Sequence, residues 1–573
     1  MAQVVFITPN IEGRYSDASL GTLQLASILG RSGIDCEILP FFRCGDLIDL
    51  EAFLEGAIHA LREKKPKIVS FYTRCDTYHI TLKLAQRIKA QWPEIYIVLG
   101  GPQSDITAKE TLAQIPYVDY ICCSEGENTV VPLFSSLLKN APDTSVDGLV
   151  YRENGIVKAN PRPALVQDLD TLPMLDFSYL QLNESADTKK EVAFPIDVGR
   201  GCPFGCTYCS TNAFWGRKFR LKSPQRIVEE VKQLHAQFGA TLFSFSHDMF
   251  TLNRNSVIET CRLLKTLDFP VRWHCSARLD CIDRELIDIM TASGMNSMYI
   301  GIETGSKRMQ KVINKNLDLS NVLPLCAYLL EKGCEVIASF IFGFPDETEE
   351  DLCQTMGLIA QLLKLRRVKI QTHLCTFLAG TELSRRHLHE MTKAEQYSDI
   401  TGDLLLDQCS DFVDAHPQLF QHLLEYKTPL RTRLRYFPLF FQMWHQMQPV
   451  YQYLSEKYPE DRLIDMYDDF VAANGKILDD VLTFPFEQWC FALAKQDQFP
   501  QRFQDDEYYN IIKDIYRFRI AQTNASSESH EIYCFSPTDL KEKSRLQEYQ
   551  RCLAVVRHQN GKMTISRYPA QRK

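Results

Sequence analysis

The chain has 573 residues, enough for several domains, and 45% hydrophobic and 24% charged residues, an ordinary balance for a protein that buries sizeable cores. A net charge of -8 excludes the general basic footprint of a nucleic-acid binder, so nucleic acid is disfavoured as a partner. No apolar run reaches the roughly 18 residues of a membrane helix, and the opening Met1-Ala-Gln-Val-Val-Phe-Ile-Thr-Pro9 lacks a basic n-region and reads as a buried strand. Nineteen scattered cysteines then point to free thiols in a reducing cytoplasm.

From the start to about residue 140, short apolar runs alternate with helix-length amphipathic stretches. Strands are predicted over 4–8, 37–42, 68–72, 96–99 and 120–123. Continuous apolar strands alternating with helices indicate α/β structure with a parallel, doubly wound, Rossmann-like sheet. Ligands on such sheets sit at the carboxyl ends of strands. Those ends carry Thr73, Arg74, Cys75 and Asp76, then Gly100-Gly-Pro102, then Ser124-Glu-Gly-Glu127. Residues 141–187 read as a linker, with a small hairpin around Asn154-Gly155 and three prolines after it. A second βα series follows, with strands predicted over 193–198, 242–246, 271–276, 298–302, 336–342 and 368–374. Six such units suggest a partial (βα)6 barrel between 188 and 395. From 396 to 573 the alternation stops, and aromatic-rich, mostly helical sequence takes over, with a short strand near 532–535.

The strongest chemical signal is Gly199-Arg-Gly-Cys-Pro-Phe-Gly-Cys-Thr-Tyr-Cys-Ser210, directly after the first strand of the second series. Cys202, Cys206 and Cys209 stand at C-x3-C-x2-C spacing in a glycine-bearing loop. Iron–sulfur clusters are held by cysteine thiolates, usually four. Three would leave one iron open, as a reactive centre requires. A structural zinc site is the competing assignment, but zinc usually takes four ligands in paired C-x2-C units, and no second pair occurs.

This loop resembles the signature of the radical S-adenosylmethionine (SAM) superfamily, including an aromatic residue, Tyr208, before the last cysteine. The resemblance implies a [4Fe-4S] cluster on Cys202, Cys206 and Cys209, with SAM bound to the open iron and cleaved by one electron to a 5′-deoxyadenosyl radical. A low-potential donor such as flavodoxin or ferredoxin is implied as partner. The resemblance extends through 190–385. Trp273-His-Cys-Ser-Ala-Arg278 is similar to the third-strand segment, which brings Ser276 and Arg278 towards the methionine part of SAM. Met298-Tyr-Ile-Gly-Ile-Glu303 looks like the fourth-strand site, with Glu303 on the ribose hydroxyls, and Ile341-Phe-Gly-Phe-Pro-Asp346 matches the turn that sets Gly343 near the adenine. Phe245-Ser-His-Asp-Met-Phe250 departs from the pattern, because His247 takes a position that is often acidic.

A doubly wound domain ahead of such a core resembles the cobalamin-binding-domain class of these enzymes, which includes anaerobic cyclases and C-methyltransferases. By that resemblance Thr73, Arg74, Gly100, Gly101, Pro102, Ser124, Glu125, Gly126 and Glu127 are the cobalamin residues. No Asp-x-His-x-x-Gly motif is present, so ligation of cobalt by a histidine of that motif is not expected. The implied activity is hydrogen abstraction from an unactivated carbon followed by methyl transfer, on a small-molecule or peptide substrate. Radical cyclisation or rearrangement is the close alternative. A non-catalytic electron carrier and a cobalamin sensor are the alternatives from other classes. The segment Arg431-Thr-Arg-Leu-Arg-Tyr-Phe-Pro-Leu-Phe-Phe-Gln-Met-Trp-His445 reads either as a substrate cap with arginines for acidic groups or as a helical core with a solvated edge.

Overall fold

The computed structural model describes residues 2–8, 19–40, 49–180, 193–365, 368–394, 405–434, 437, 464, 467–468, 530–534, 552–559 and 562–569. The chain forms two compact units. The first comprises residues 1–302, 310–337 and 373–428, and the second 303–309, 338–372 and 429–573.

The first unit opens with five short strands, β1 (Val4–Thr8), β2 (Cys36–Pro40), β3 (Ile68–Tyr72), β4 (Tyr96–Gly100) and β5 (Tyr120–Cys122). All pair in parallel, in the order β2-β1-β3-β4-β5. Every residue of β1 is buried, which is why the strand reads as a continuous apolar run rather than an alternating one. The intervening helices cover the two faces. Leu20–Arg31 is capped by Ser19, whose hydroxyl accepts from Thr22 N, and Leu50–Lys64 by Asp49, which accepts from Ala52 N. Between β1 and β3 the strand order reverses, which opens the crevice where such sheets bind ligands.

The expected hairpin forms as β6 (Leu149–Glu153) and β7 (Ile156–Ala159), around Asn154 and Gly155, both at positive φ. It is more than a connector. β6 pairs antiparallel with β5 and extends the first sheet to seven strands.

The second series begins with β8 (Phe194–Asp197), followed by β9 (Gly199–Arg200) and β10 (Arg220–Leu221), which pair antiparallel with each other. Then come β11 (Leu242–Ser246), β12 (Arg272–Ala277), β13 (Met295–Glu303), β14 (Glu335–Phe342) and β15 (Val368–Leu374). Within the first unit the order β13-β12-β11-β8 is sequential, as in the successive βα units of a barrel. β8, β11, β12 and β13 pair in parallel. Along β11 and β12 the outward residues Phe243, Phe245, Trp273 and Cys275 are buried, while Ser244, Ser246, His274 and Ser276 on the opposite face are half-buried. Period-2 alternation thus gives this sheet one apolar and one polar face. A short ribbon, β16 (Thr392–Lys393) with β17 (Leu424–Glu425), completes the unit.

In the second unit the helix Glu349–Leu363 begins with a capping box between Thr348 and Asp351, and Asp351 also accepts from Ser306 Oγ at 2.5 Å. Arg433 binds Asp468 and Glu349 at 2.5 and 2.6 Å. β18 (His530–Cys534), β19 (Cys552–Gln559) and β20 (Lys562–Pro569) form an antiparallel meander, of which the sequence had suggested only the first strand. Residues 435–436 and 438–463, most of the aromatic and arginine segment, lie outside the described residues, as does most of the expected helical sequence after 396.

Candidate active site

The cysteine loop is closed at its base by the β9–β10 ribbon, which sets Arg200 opposite Arg220. Its glycines are required by crowding. A Cβ on Gly199 would lie 2.5 Å from the Arg220 carbonyl oxygen, and one on Gly201, at φ +80°, only 1.9 Å from that of Lys218. Further along, Thr207 N donates to the Ile313 carbonyl (3.0 Å), Asn314 Nδ2 to that of Gly205 (2.8 Å), and Leu383 N to that of Thr207 (2.9 Å). The backbone of the loop is thereby fixed from three sides while its sulfurs stay half-buried.

The three thiols lie within one another's electrostatic reach. Burial pushes Cys202 up to about 11, with Cys209, Asp248 and Cys206 adding to it. Burial also raises Cys209, against a hydrogen bond from Thr211. Such thiols ionise only beside a positive centre, which cluster iron supplies. Among the described residues, no three His, Cys, Asp or Glu side chains converge on a single ion. A cubane asks less of them, one thiolate per iron, and the three sulfurs of this turn fit that demand. A fourth thiol, Cys281, also stands near Cys202 and is pushed up to about 11, chiefly by burial.

The expected SAM residues fall in both units. In the first, Arg278 is fully engaged. Its Nε and Nη2 bind Asp280 at 3.0 and 2.7 Å, Nη2 also donates to the Lys315 carbonyl (2.7 Å), and the guanidinium lies 3.9 Å from the Phe204 ring centroid. Its Nη1 reaches Cys206 Sγ at 3.8 Å, so this arginine braces the cysteine loop. Ser276 stands half-buried on the polar face of β12, and Tyr208 half-buried beside Cys209. In the second unit, Glu303 is buried at φ +69°. Gly343, at φ +76°, donates its N–H to Glu347 (2.6 Å) and accepts at its carbonyl from Arg431 Nη1 (3.2 Å).

A cavity of about 550 Å³ opens in the first unit at the carboxyl ends of strands from both sheets. Gly100, Gly101, Pro102, Ser124, Glu125, Gly126 and Glu127 line it from the first sheet, and Arg200, Trp215, His247 and Asp248 from the cysteine-loop side. Gly100 presents bare backbone there, since a Cβ on it would meet nothing closer than 3.9 Å. Open backbone at the carboxyl ends of a doubly wound sheet suits a large cofactor with a nucleotide tail, so the residues present fit cobalamin. Thr73 and Arg74 are placed differently. Thr73 is completely buried, with Oγ1 donating to the Gly100 carbonyl (2.9 Å) and accepting from Ser104 N (2.9 Å), and Arg74 pairs with Asp76 at 2.6 Å. Neither lines the cavity.

Sequence reasoning missed the charge network in its wall. Glu125 accepts from Arg200 Nη1 (2.9 Å), from Arg220 Nη1 and Nη2 (2.9 and 2.8 Å) and from Val166 N (2.6 Å). Arg200 also pairs with Glu127 (2.7 Å) and Asp197 (3.4 Å). Burial alone would raise the Glu125 carboxyl, but the arginines hold it below its ordinary range. Trp215 lies 5.9 Å from the Arg200 guanidinium and 5.4 Å from that of Arg220. The arginine between the two glycines was the one visible hint. His247 accepts from Met249 N at Nδ1 (2.6 Å), which leaves its proton on Nε2, and burial lowers it to about 4, so it is neutral at physiological pH. Asp248, the next residue, supplies the carboxylate near the cysteines, and enclosure raises it against a hydrogen bond from Thr211.

Comparison with known proteins agrees with this geometry. The family model of the radical SAM superfamily matches residues 196–359, and that of the B12 binding domain matches 12–134. An uncharacterized methyltransferase of Pyrococcus horikoshii is 29% identical over 305 residues, 53% of this chain and 66% of that protein. The anaerobic magnesium-protoporphyrin IX monomethyl ester cyclase of Rubrivivax gelatinosus is 28% identical over 288 residues, 48% of this chain and 50% of that protein. The chain thus spans between half and two thirds of the length of these two relatives. The fold matches that of OxsB, a cobalamin-dependent SAM radical enzyme solved with aqua-cobalamin and SAM bound, at a TM-score of 0.58 and 15% identity, covering 90% of this chain and 84% of that one.

Proposed function

We propose that this chain, whose residues 196–359 match the family model of the radical SAM superfamily and whose residues 12–134 match that of the B12 binding domain, is a cobalamin-dependent radical SAM enzyme that methylates an unactivated carbon of a small-molecule or peptide substrate. The observation that carries this reading is the shared cavity, which is lined at once by the Gly100–Pro102 and Ser124–Glu127 loops and by the loop that bears the cysteines. Cluster and SAM together supply a 5′-deoxyadenosyl radical, and cobalamin a transferable methyl group.

We assign the division of labour by segment. Segment 1–140 holds cobalamin, 141–187 closes its sheet, 188–395 holds the cluster and SAM, and 396–573 shapes substrate access. Cys202, Cys206 and Cys209 would hold three irons of the cluster, and Arg278, through Asp280, Cys206 and Phe204, braces the loop that bears them. For SAM the assigned residues are Tyr208 and Ser276, with Glu303 as the residue that would take the ribose and Gly343 the one that would take the adenine. Buried His247 stays neutral in the cavity wall and so adds no positive charge there.

The described cysteines are free thiols and no helix of the described residues is long and apolar enough to cross a membrane. We place the protein in a reducing cytoplasm, where flavodoxin or ferredoxin supplies the electron. Radical cyclisation is the second reading, favoured by the similarity to the Rubrivivax cyclase.

Anaerobically reconstituted protein should show corrinoid absorption after hydroxocobalamin is added. With SAM and reductant it should form S-adenosylhomocysteine alongside 5′-deoxyadenosine. 5′-Deoxyadenosine alone with a native substrate would decide for cyclisation or rearrangement, and absence of corrinoid uptake would rule out the cobalamin assignment.

A further inference from the structure

We infer that Arg200, a residue of the cysteine loop, is a positioning residue for cobalamin, because it locks the Ser124–Glu127 loop of the other sheet into its ligand-facing shape. The inference rests on the cobalamin reading of the shared cavity and assigns it an element outside the B12-binding domain.

Ser124 is held at φ +67°, in the left-handed region that side chains disfavour. Such a conformation is strained and persists only where the surroundings enforce it. The restraints on this loop can be named one by one. Asp105 Oδ1 accepts from Ser124 N at 3.2 Å, and Asp105 is itself gripped by Arg162. One residue on, the Glu125 carboxylate takes four N–H groups, three of them from Arg200 and Arg220. Gly126 lies against Leu25, where a Cβ would come within 3.2 Å of the leucine side chain, and Glu127 ends the loop on Arg200. Arg200 therefore holds the loop at two of its four residues, and its side chain is only 8% exposed.

The charges give the direction of the effect. Three carboxylates (Glu125, Glu127 and Asp197) face two guanidinium groups (Arg200 and Arg220) in this wall. Without Arg200, three buried or half-buried carboxylates would share one arginine and repel one another. Glu127 and Ser124 would then swing from the cavity wall, and the backbone surface offered to the cofactor would be lost. Arg200 is also two residues from Cys202, so its backbone belongs to the loop that carries the cysteines while its side chain holds the Ser124–Glu127 loop. A cofactor that shifts the Ser124–Glu127 loop would then pull on the cysteine loop through Arg200, and any such coupling acts in both directions.

The test uses full-length protein, cluster-free and reconstituted, titrated with hydroxocobalamin and followed by its absorption spectrum. Arg200→Met keeps the stem of the side chain and removes the charge. It is expected to weaken cobalamin binding about tenfold or more in both forms, with SAM affinity and iron content retained. In wild-type protein, cobalamin should shift the electron paramagnetic resonance signal of the reduced cluster, and in Arg200→Met this shift should vanish. Should Arg200→Met fold poorly, Glu127→Gln gives the same comparison with the cysteine loop untouched. Wild-type cobalamin affinity in a folded Arg200→Met or Glu127→Gln protein would overturn the inference. Failure of the wild type to bind cobalamin would instead sink the cofactor reading itself.

Discussion

Arg200 Nη1 lies 2.9 Å from Glu125 Oε1, a buried ion pair between residues 75 apart in the chain that belong to the two loops facing one cavity. Breaking a buried pair leaves its partner charged and dry, which costs about 3–5 kcal/mol. Glu125→Ala should therefore lower stability by roughly that amount, and Glu125→Gln, which retains acceptors, by less. Thermal or denaturant unfolding of the two variants checks the order.

Acid should weaken the fold through two buried histidines. Burial lowers His422 to about 3, with repulsion from His79 adding to it, and lowers His247 to about 4. Both lie below the unfolded value of 6.5. The unfolded chain thus binds their protons first, and stability present above pH 6.5 is lost as pH falls towards 4, by up to about 1.4 kcal/mol per pH unit for each histidine. Unfolding measured across that window should show a shallower loss for His422→Asn than for the wild type.

Backbone crowding makes a sharper prediction. A Cβ at Gly101, at φ +97°, would meet Thr73 N and O at 2.8 Å each. Gly101→Ala must push the β3 and β4 ends apart, at a cost of about 2 kcal/mol or more. At Gly201 the clash is with the Lys218 carbonyl oxygen at 1.9 Å, so Gly201→Ala should spoil the cysteine loop. Iron analysis after reconstitution should fall for Gly201→Ala and hold for Gly101→Ala, which should instead lose hydroxocobalamin binding.

Cys281 separates an open cluster from a closed one. Its thiol is near Cys202, yet it follows β12 rather than sharing the cysteine loop. If SAM takes the fourth iron, Cys281→Ala keeps its iron content and still forms 5′-deoxyadenosine. Loss of the cluster in that variant would show that the fourth position is a protein ligand.

Much of this was legible in the sequence, because the evidence there was local. Continuous apolar runs such as Val-Val-Phe-Ile-Thr gave the strands of the first sheet, and the cysteine spacing gave the loop chemistry. The Asn154-Gly155 turn was equally readable, but its pairing with β5 was not, because register between distant segments leaves no local signature. The same holds for Arg200. Beside three cysteines it looked like a flanking residue, and only the fold brings Glu125, Glu127 and Asp197 around it. Thr73 shows the same limit from another side. Its place at a strand end suggested a ligand contact, whereas its hydroxyl is spent on holding Gly100 and Ser104.

The account stands on an open cluster in the cysteine loop, and one measurement addresses it directly: 5′-deoxyadenosine released from SAM by anaerobically reconstituted, dithionite-reduced protein, compared with Cys206→Ala. The account predicts steady release by the wild type and none above background by the variant. Equal release by both, or a wild type that holds only zinc and leaves SAM intact, would contradict it.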